Sequence, residues 1–175
     1  MNHFEKNELI KDIKDFRLPN YNEIPNVGLY LEQTAKYISE ALSPILENAI
    51  TGSMISNYVK KGLVSNPIKK QYDREQIAYL IFIAIVKNVL SMDDIKLVID
   101  IQKSTYKVYE SYNYLAKEFE TLISFVFDGK AIPNQENENM SNEKRMLRNI
   151  IITLAHKIYL EKYFSLIKEK NLIKY

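Results

Sequence analysis

Residues 51–63 hold the side chains best suited to chemistry. Wound as a helix, they put Ile55, Val59 and Leu63 on one side, with Met54 and Tyr58 beside them. Ser53, Ser56, Asn57 and Lys60 fall on the other side. Small hydroxyl and amide groups of that kind exchange hydrogen bonds with base edges, while Lys60 and Lys61 suit phosphate oxygens. Tyr58 can offer its hydroxyl to a phosphate or stand at the edge of the core. A few residues on come Lys69, Lys70, Tyr72 and Arg74. Residues 51–87 hold six cations against two anions, a local +4, which leaves −2 for the rest of a chain whose net charge is +2. This is the charge pattern of a phosphate-binding surface, with chance clustering on a solvated face as the plain alternative. Arg74 in a first helical turn meets an unfavourable helix dipole, which hints at an outside anion, although Asp73 and Glu75 can offset it locally.

Other chemistries find less material. The chain has no Cys, which excludes disulfides, thiolate metal sites and a thiol switch. Its two His residues, His3 and His156, are far apart, and His156 has no Ser, Cys or acid at triad or zinc spacing. Four Gly leave little room for a phosphate-cradling loop. Asp93 and Asp94 read as helix-start acids. The expectation is a protein that is not an enzyme and carries no cofactor. No Lys- or Arg-led apolar leader opens the sequence, and the apolar run 77–86 is too short to span a bilayer, so a cytoplasmic protein is expected.

The elements that must position these residues are mostly helical. A first helix is expected over 5–16, a loop over 18–26 because of Pro19 and Pro25, and a second helix over 27–42. Thr51 is a suitable N-cap for the next helix, and Gly62 suits the left-handed residue past its end. The segment 65–72 contains Pro67 and fits a small β-hairpin. Asp73 and Gln76 have capping-box spacing, opening a helix to about residue 90 that is apolar nearly all round and therefore central. Ser91 and Asp94 repeat the cap before a helix to about 101. Long helices are expected over 104–127 and 143–170, separated by an Asn-, Glu-rich loop. The aromatics Tyr106, Tyr109, Tyr112, Tyr114, Phe119, Phe125 and Phe127 read as core or dimer seam, or as an effector pocket with Tyr159, Tyr163 and Phe164.

The ordered set Thr51-x-x-Met54-Ile55-x-x-Tyr58-x-x-x-Gly62-Leu63, Pro67, Lys70-x-Tyr72, Ile77-x-x-Leu80 and Leu90-Ser91-Met92-Asp93-Asp94-Ile95 resembles the MerR family over residues 27–102. In that family the corresponding parts are a recognition helix, a Gly-Leu turn, a wing and a helix pair bracing the wing. Leu18-Pro19-x-Tyr21-x-x-Ile24-Pro25, Gly28-Leu29-Tyr30 and Tyr58-Val59-Lys60-Lys61-Gly62-Leu63 are similar to the uncharacterised bacterial family called domain of unknown function 1836.

The resemblance implies a mainly α fold: a MerR-like winged helix-turn-helix with a small β-hairpin wing, plus a C-terminal helical dimerisation or effector region. The expected division is residues 1–102 and 103–175. The implied function is a sequence-specific DNA-binding transcriptional regulator, a homodimer through its C-terminal helices on double-stranded DNA, with an unspecified small-molecule effector and no membrane partner. Its expected DNA-binding residues are Ser53, Ser56, Asn57, Tyr58, Lys60, Lys61, Lys69, Lys70, Tyr72 and Arg74. Ser56 stands where MerR-type recognition helices usually carry Arg. That, with the modest net charge, favours a second class: a winged scaffold that binds another protein instead of DNA.

Overall fold

The computed structural model describes residues 13–133 and 140–169. The chain forms two compact units, Leu18–Lys117 and a second built from Met1–Arg17 with Glu118–Tyr175. Among the described residues there are six α-helices: α1 Leu31–Leu42, α2 Gly52–Lys60, α3 Arg74–Val86, α4 Met92–Thr105, α5 Val108–Asp128 and α6 Asn142–Glu169. Two short strands, β1 Leu29–Tyr30 and β2 Gln71–Tyr72, pair antiparallel, Leu29 opposite Tyr72 and Tyr30 opposite Gln71. No described helix is long and apolar enough to cross a membrane.

The Leu18–Lys117 unit is organised around α3. Asp73 Oδ1 accepts from the Gln76 N–H at 2.8 Å while Gln76 Oε1 accepts from the Asp73 N–H at 2.9 Å, closing the capping box. Every residue from Gln76 to Val86 is then buried. A helix without a polar face must have neighbours on all sides. Ile38 and Leu42 of α1, Ile55 and Tyr58 of α2, and Ile95 and Ile99 of α4 are among the other buried residues of this unit. Ser91 caps α4 through its hydroxyl, which accepts from the Asp94 N–H at 3.1 Å.

In the second unit, Phe119, Leu122, Ile123 and Phe127 of α5 and Ile151, Leu154, Ala155 and Ile158 of α6 are buried. Phe16 meets Phe119 edge-on at 6.0 Å, and Phe127 meets Tyr159 at 5.4 Å. Arg148 and Glu118, both buried, form an ion pair, and Arg148 also donates to the Pro133 carbonyl at 2.7 Å.

The structure departs from the sequence expectations in several places. Residues 27–30 are not the start of a helix; Val27 lies in a bend, Leu29 and Tyr30 form β1, and α1 begins at Leu31. The cause is the pairing with β2, which Gly28 permits: a Cβ there would lie 2.8 Å from Gln71 Cβ. The segment 65–72 does turn back on itself through an Ile68–Gln71 bridge, but its main strand partner is β1. The expected loop 18–26 contains a 3₁₀ turn, Tyr21–Glu23. α3 stops at Val86, four residues short of the expected end, and α4 continues to Thr105, where Gln102 Nε2 donates to the carbonyl of the C-cap residue Tyr106 at 2.8 Å. Residues 5–12 of the expected first helix and Lys170 of the last lie outside the described residues.

Candidate nucleic-acid interface

α2 opens where Thr51 Oγ1 accepts from the Met54 N–H at 3.2 Å. Gly52 sits hard against the first turn of α1, where a Cβ would come 2.5 Å from Glu32 Oε1. The helix ends in a Schellman motif. The Gly62 N–H donates to the Val59 carbonyl at 2.9 Å and the Leu63 N–H to the Tyr58 carbonyl at 3.0 Å, with Gly62 at φ +71°. Leu63 is buried. With both ends pinned, the facing of α2 is fixed: Ile55 and Tyr58 inward, and Ser53, Ser56, Asn57 and Lys60 exposed. Lys61, just beyond, is exposed as well.

The next segment rises through Ser65 and Asn66, turns, and descends as β2. Gln76 holds the rising leg: its Nε2 donates to the Ser65 carbonyl at 2.9 Å, the Ser65 hydroxyl at 3.1 Å and the Asn66 carbonyl at 3.1 Å. The β1 pairing holds the descending leg. Between them the Gln71 N–H donates to the Ile68 carbonyl at 2.9 Å, so Lys69 and Lys70 are the central residues of a tight turn. Both have positive φ, +50° and +64°. Positive φ at both central positions is the type I′ arrangement, normally filled by Asn and Gly. Two lysines hold it here, exposed at the tip.

The exposed face of α2, Lys61 and the lysine turn therefore belong to one continuous stretch of chain. From residue 48 to residue 72 that stretch contains four lysines and no acid. Lys87 is different: it is half-buried just past the C-terminal end of α3, about 20 Å by helix rise from Arg74 at the helix start, and desolvation lowers its pKa.

Three expected site residues sit elsewhere than on this surface. Tyr58 and Tyr72 are buried, and burial pushes both hydroxyls above the usual tyrosine range. Arg74 turns to the 3₁₀ segment. Its Nε donates to the Ile24 carbonyl at 2.8 Å, Nη2 to the Asn22 carbonyl at 3.3 Å and Nη1 to Asn22 Oδ1 at 3.4 Å, and its guanidinium lies 5.7 Å from the Tyr21 ring centre. The acceptors in this segment and the Tyr21 ring thus meet the cation that α3's own dipole disfavours. The roles of Arg74 and Gln76 as clamps, and the exposure of Ile68 and Tyr30 on the ribbon, carry no local sequence signal.

A family model described as a domain of unknown function (DUF1836) matches residues 19–119. The chain belongs to that family. The DUF1836 match takes in α1 to α4, both strands and the start of α5, so the whole lysine-bearing surface lies inside the family domain. Comparison with curated proteins and with solved structures gives no match.

The same unit has an open groove of about 650 Å³, lined among others by Tyr21, Tyr79, Tyr106, Tyr109, Lys103 and Gln102. Tyr79 donates to Gln102 Oε1 at 2.8 Å and carries Lys103 Nζ over its ring at 5.1 Å. The aromatic residues of α5 are thus divided: Tyr109 and Tyr112 pack on Tyr21 at 5.6 and 6.1 Å in this unit, while Phe127 packs on Tyr159 in the other. Among the described residues no group of three or more His, Cys, Asp or Glu could hold a metal ion.

Proposed function

We propose that this DUF1836 protein is a DNA-binding regulator of MerR type, in which α2 reads base edges in the major groove and the lysine turn grips the adjacent backbone. The observation that carries the reading is the strained lysine pair. Left-handed backbone costs a non-glycine residue about 1–2 kcal/mol. A strained pair persists only where its surroundings over-determine it, and such positions concentrate at functional sites. Here the strain projects two cations from a ribbon beside a helix whose exposed side chains are small, hydrogen-bonding and free of acids.

The order of parts supports the MerR-type reading. In this reading α2 takes the part of the recognition helix, Gly62–Leu63 that of the Gly-Leu turn, the β-ribbon that of the wing, and α3 with α4 that of the bracing pair, an order the elements follow along the chain. The expected DNA contacts are Ser53, Ser56, Asn57, Lys60, Lys61, Lys69 and Lys70. One small module reads few base pairs, so a homodimer on a two-fold operator follows. On α6, Leu160 and Phe164 are exposed one turn apart, which suits a dimer seam formed by the C-terminal helices.

The test is selection of DNA fragments from a genomic pool by the purified protein at two salt concentrations, beside the Lys60→Ala, Lys61→Ala, Lys70→Ala variant. A short palindrome should be enriched and lost in the variant. About four phosphate contacts give a log–log salt slope near −3.6. No enrichment at low salt removes this reading. It would favour the second one, a protein-binding scaffold, which draws on Ser56 at the position where the resembling family carries Arg.

A further inference from the structure

Five large apolar or aromatic side chains of the Leu18–Lys117 unit are exposed: Val27, Tyr30, Ile68, Leu97 and Tyr109. Scattered residues of this kind are ordinary. Tyr109 is set apart because it alone of the five lines the groove, where it is 50% exposed. Two other rings of the lining are occupied. Tyr21 takes the Arg74 guanidinium at 5.7 Å and the Tyr112 ring at 6.1 Å, and Tyr79 takes Lys103 Nζ at 5.1 Å. Tyr109 meets the Tyr21 ring at 5.6 Å and still stays half exposed, so ring surface is left for a planar guest.

The polar groups of the lining divide in the same way. Tyr79 donates to Gln102 Oε1 and Gln102 Nε2 to the Tyr106 carbonyl, both at 2.8 Å, and the Ser104 and Thr105 hydroxyls both turn back to the Ile101 carbonyl. Those bonds set the wall before any ligand arrives, which lowers the cost of binding. The ionic groups are Lys103, Lys107 and Glu75, a net +1, and none of them makes an ion pair among the described residues. The end of α4 and the start of α5 both reach the groove, so their opposed dipole ends offset one another and the side chains decide its charge. A volume of about 650 Å³ is that of a small-molecule site, and such sites join aromatic walls to a few polar groups. We propose that this groove binds a small planar aromatic carboxylate, its ring against Tyr109 and its acid group held by Lys103 and Lys107. Lysine–carboxylate hydrogen bonds are charge-assisted, while Glu75 disfavours a second negative charge, so the ligand is a monoanion. The proposal is independent of the DNA-binding reading, since it uses neither α2 nor the lysine turn.

The test uses the full-length protein and 2-naphthoate as the probe, with neutral 2-naphthamide and cationic 2-naphthylmethylammonium as matched controls. In a heteronuclear NMR titration the largest shifts from 2-naphthoate should fall on the amides of residues 102–109 and of Tyr21. Calorimetry should give a Kd of about 0.1 mM. The amide and the ammonium should each bind about tenfold more weakly or worse. Lys103→Gln with Lys107→Gln should weaken 2-naphthoate about tenfold and leave the ammonium no weaker, and Tyr109→Ser should weaken 2-naphthoate by a similar factor. All three side chains are exposed, so both variants should keep the native melting temperature. The proposal is overturned if 2-naphthoate at about 1 mM shifts none of these amides. It is overturned equally if either control binds as well as 2-naphthoate, if either variant keeps full affinity, or if the shifts centre on Leu160 and Phe164 of α6. Selection of DNA fragments decides the DNA-binding reading separately, whichever way this experiment falls.

Discussion

Replacing Lys69 by Asn and Lys70 by Gly separates the strain of the turn from its charge. Asn-Gly is the favoured pair for a type I′ turn, so the hydrogen bond from the Gln71 N–H to the Ile68 carbonyl should persist. Two lysines at φ +50° and +64° cost about 1–2 kcal/mol each. Asn tolerates the left-handed region and removes part of its share. Gly removes all of its share but frees the unfolded chain, which returns about 0.5–1 kcal/mol. The net gain is about 1–2 kcal/mol, and for a protein of 175 residues each kcal/mol is worth about 2–4 °C in melting temperature. Thermal and urea unfolding should therefore show a more stable protein. DNA binding should weaken, with the salt slope shallower by about 2 as two phosphate contacts vanish. Lys69→Arg with Lys70→Arg keeps both charge and strain and should change neither quantity appreciably. A melting temperature that stays level or falls in the Asn-Gly protein would refute the strain argument. An undiminished salt slope would refute the role of the charges.

Three further outcomes follow from the geometry. Tyr79→Phe should make the alkaline loss of stability shallower. Burial first, then Glu75 and Tyr21, raise the Tyr79 pKa from 10.0 to about 12, so the fold favours the neutral phenol. That contribution is whole below pH 10 and disappears as pH rises from 10 to about 12, and melting temperature against pH reads it. Gln76→Ala removes an amide that is 5% exposed and leaves the Asp73 N–H and the Ser65 and Asn66 carbonyls without it, which should cost about 2–4 kcal/mol in urea unfolding. In the second unit, Arg148→Met should cost about 3–5 kcal/mol by leaving Glu118 buried and alone, whereas adding Glu118→Leu should restore much of the loss. A double variant as unstable as the sum of the singles would contradict that account.

The helices were legible where local chemistry and burial agree. Asp73 and Gln76 announce the start of α3, and the run from Ile77 to Val86 has no polar face to expose, so its burial follows from composition alone. Thr51 and Gly62 bracket α2 for the same local reasons. β1 was not legible because its Leu-Tyr pair merges with the apolar stripe of α1, and its partner lies forty residues on. Arg74 reads as an unpaired cation in sequence because its acceptors, Asn22 and Ile24, are about fifty positions away. The lysine turn was the least legible feature. Turn chemistry is written in Asn, Gly and Pro, and two lysines give no signal that the backbone will be left-handed. Only the fixed legs on either side force it.

Those legs make a last, quantitative claim possible. The first turn of α3 serves as a double clamp: Arg74 secures residues 22–24 and Gln76 secures Ser65 and Asn66. With β1 holding the descending strand, the tip can be strained only while both legs are pinned. The Gln76 clamp and the lysine strain should therefore be coupled. In a Gln76→Ala background the rising leg loosens, the lysines relax toward ordinary backbone, and the Asn-Gly substitution has less strain to relieve. Its gain should fall from about 1–2 kcal/mol to less than half of that, an interaction energy of about 0.5–1 kcal/mol in a double-mutant cycle. Additive behaviour of the two changes would mean that the strain is local to the turn and that Gln76 does not maintain it.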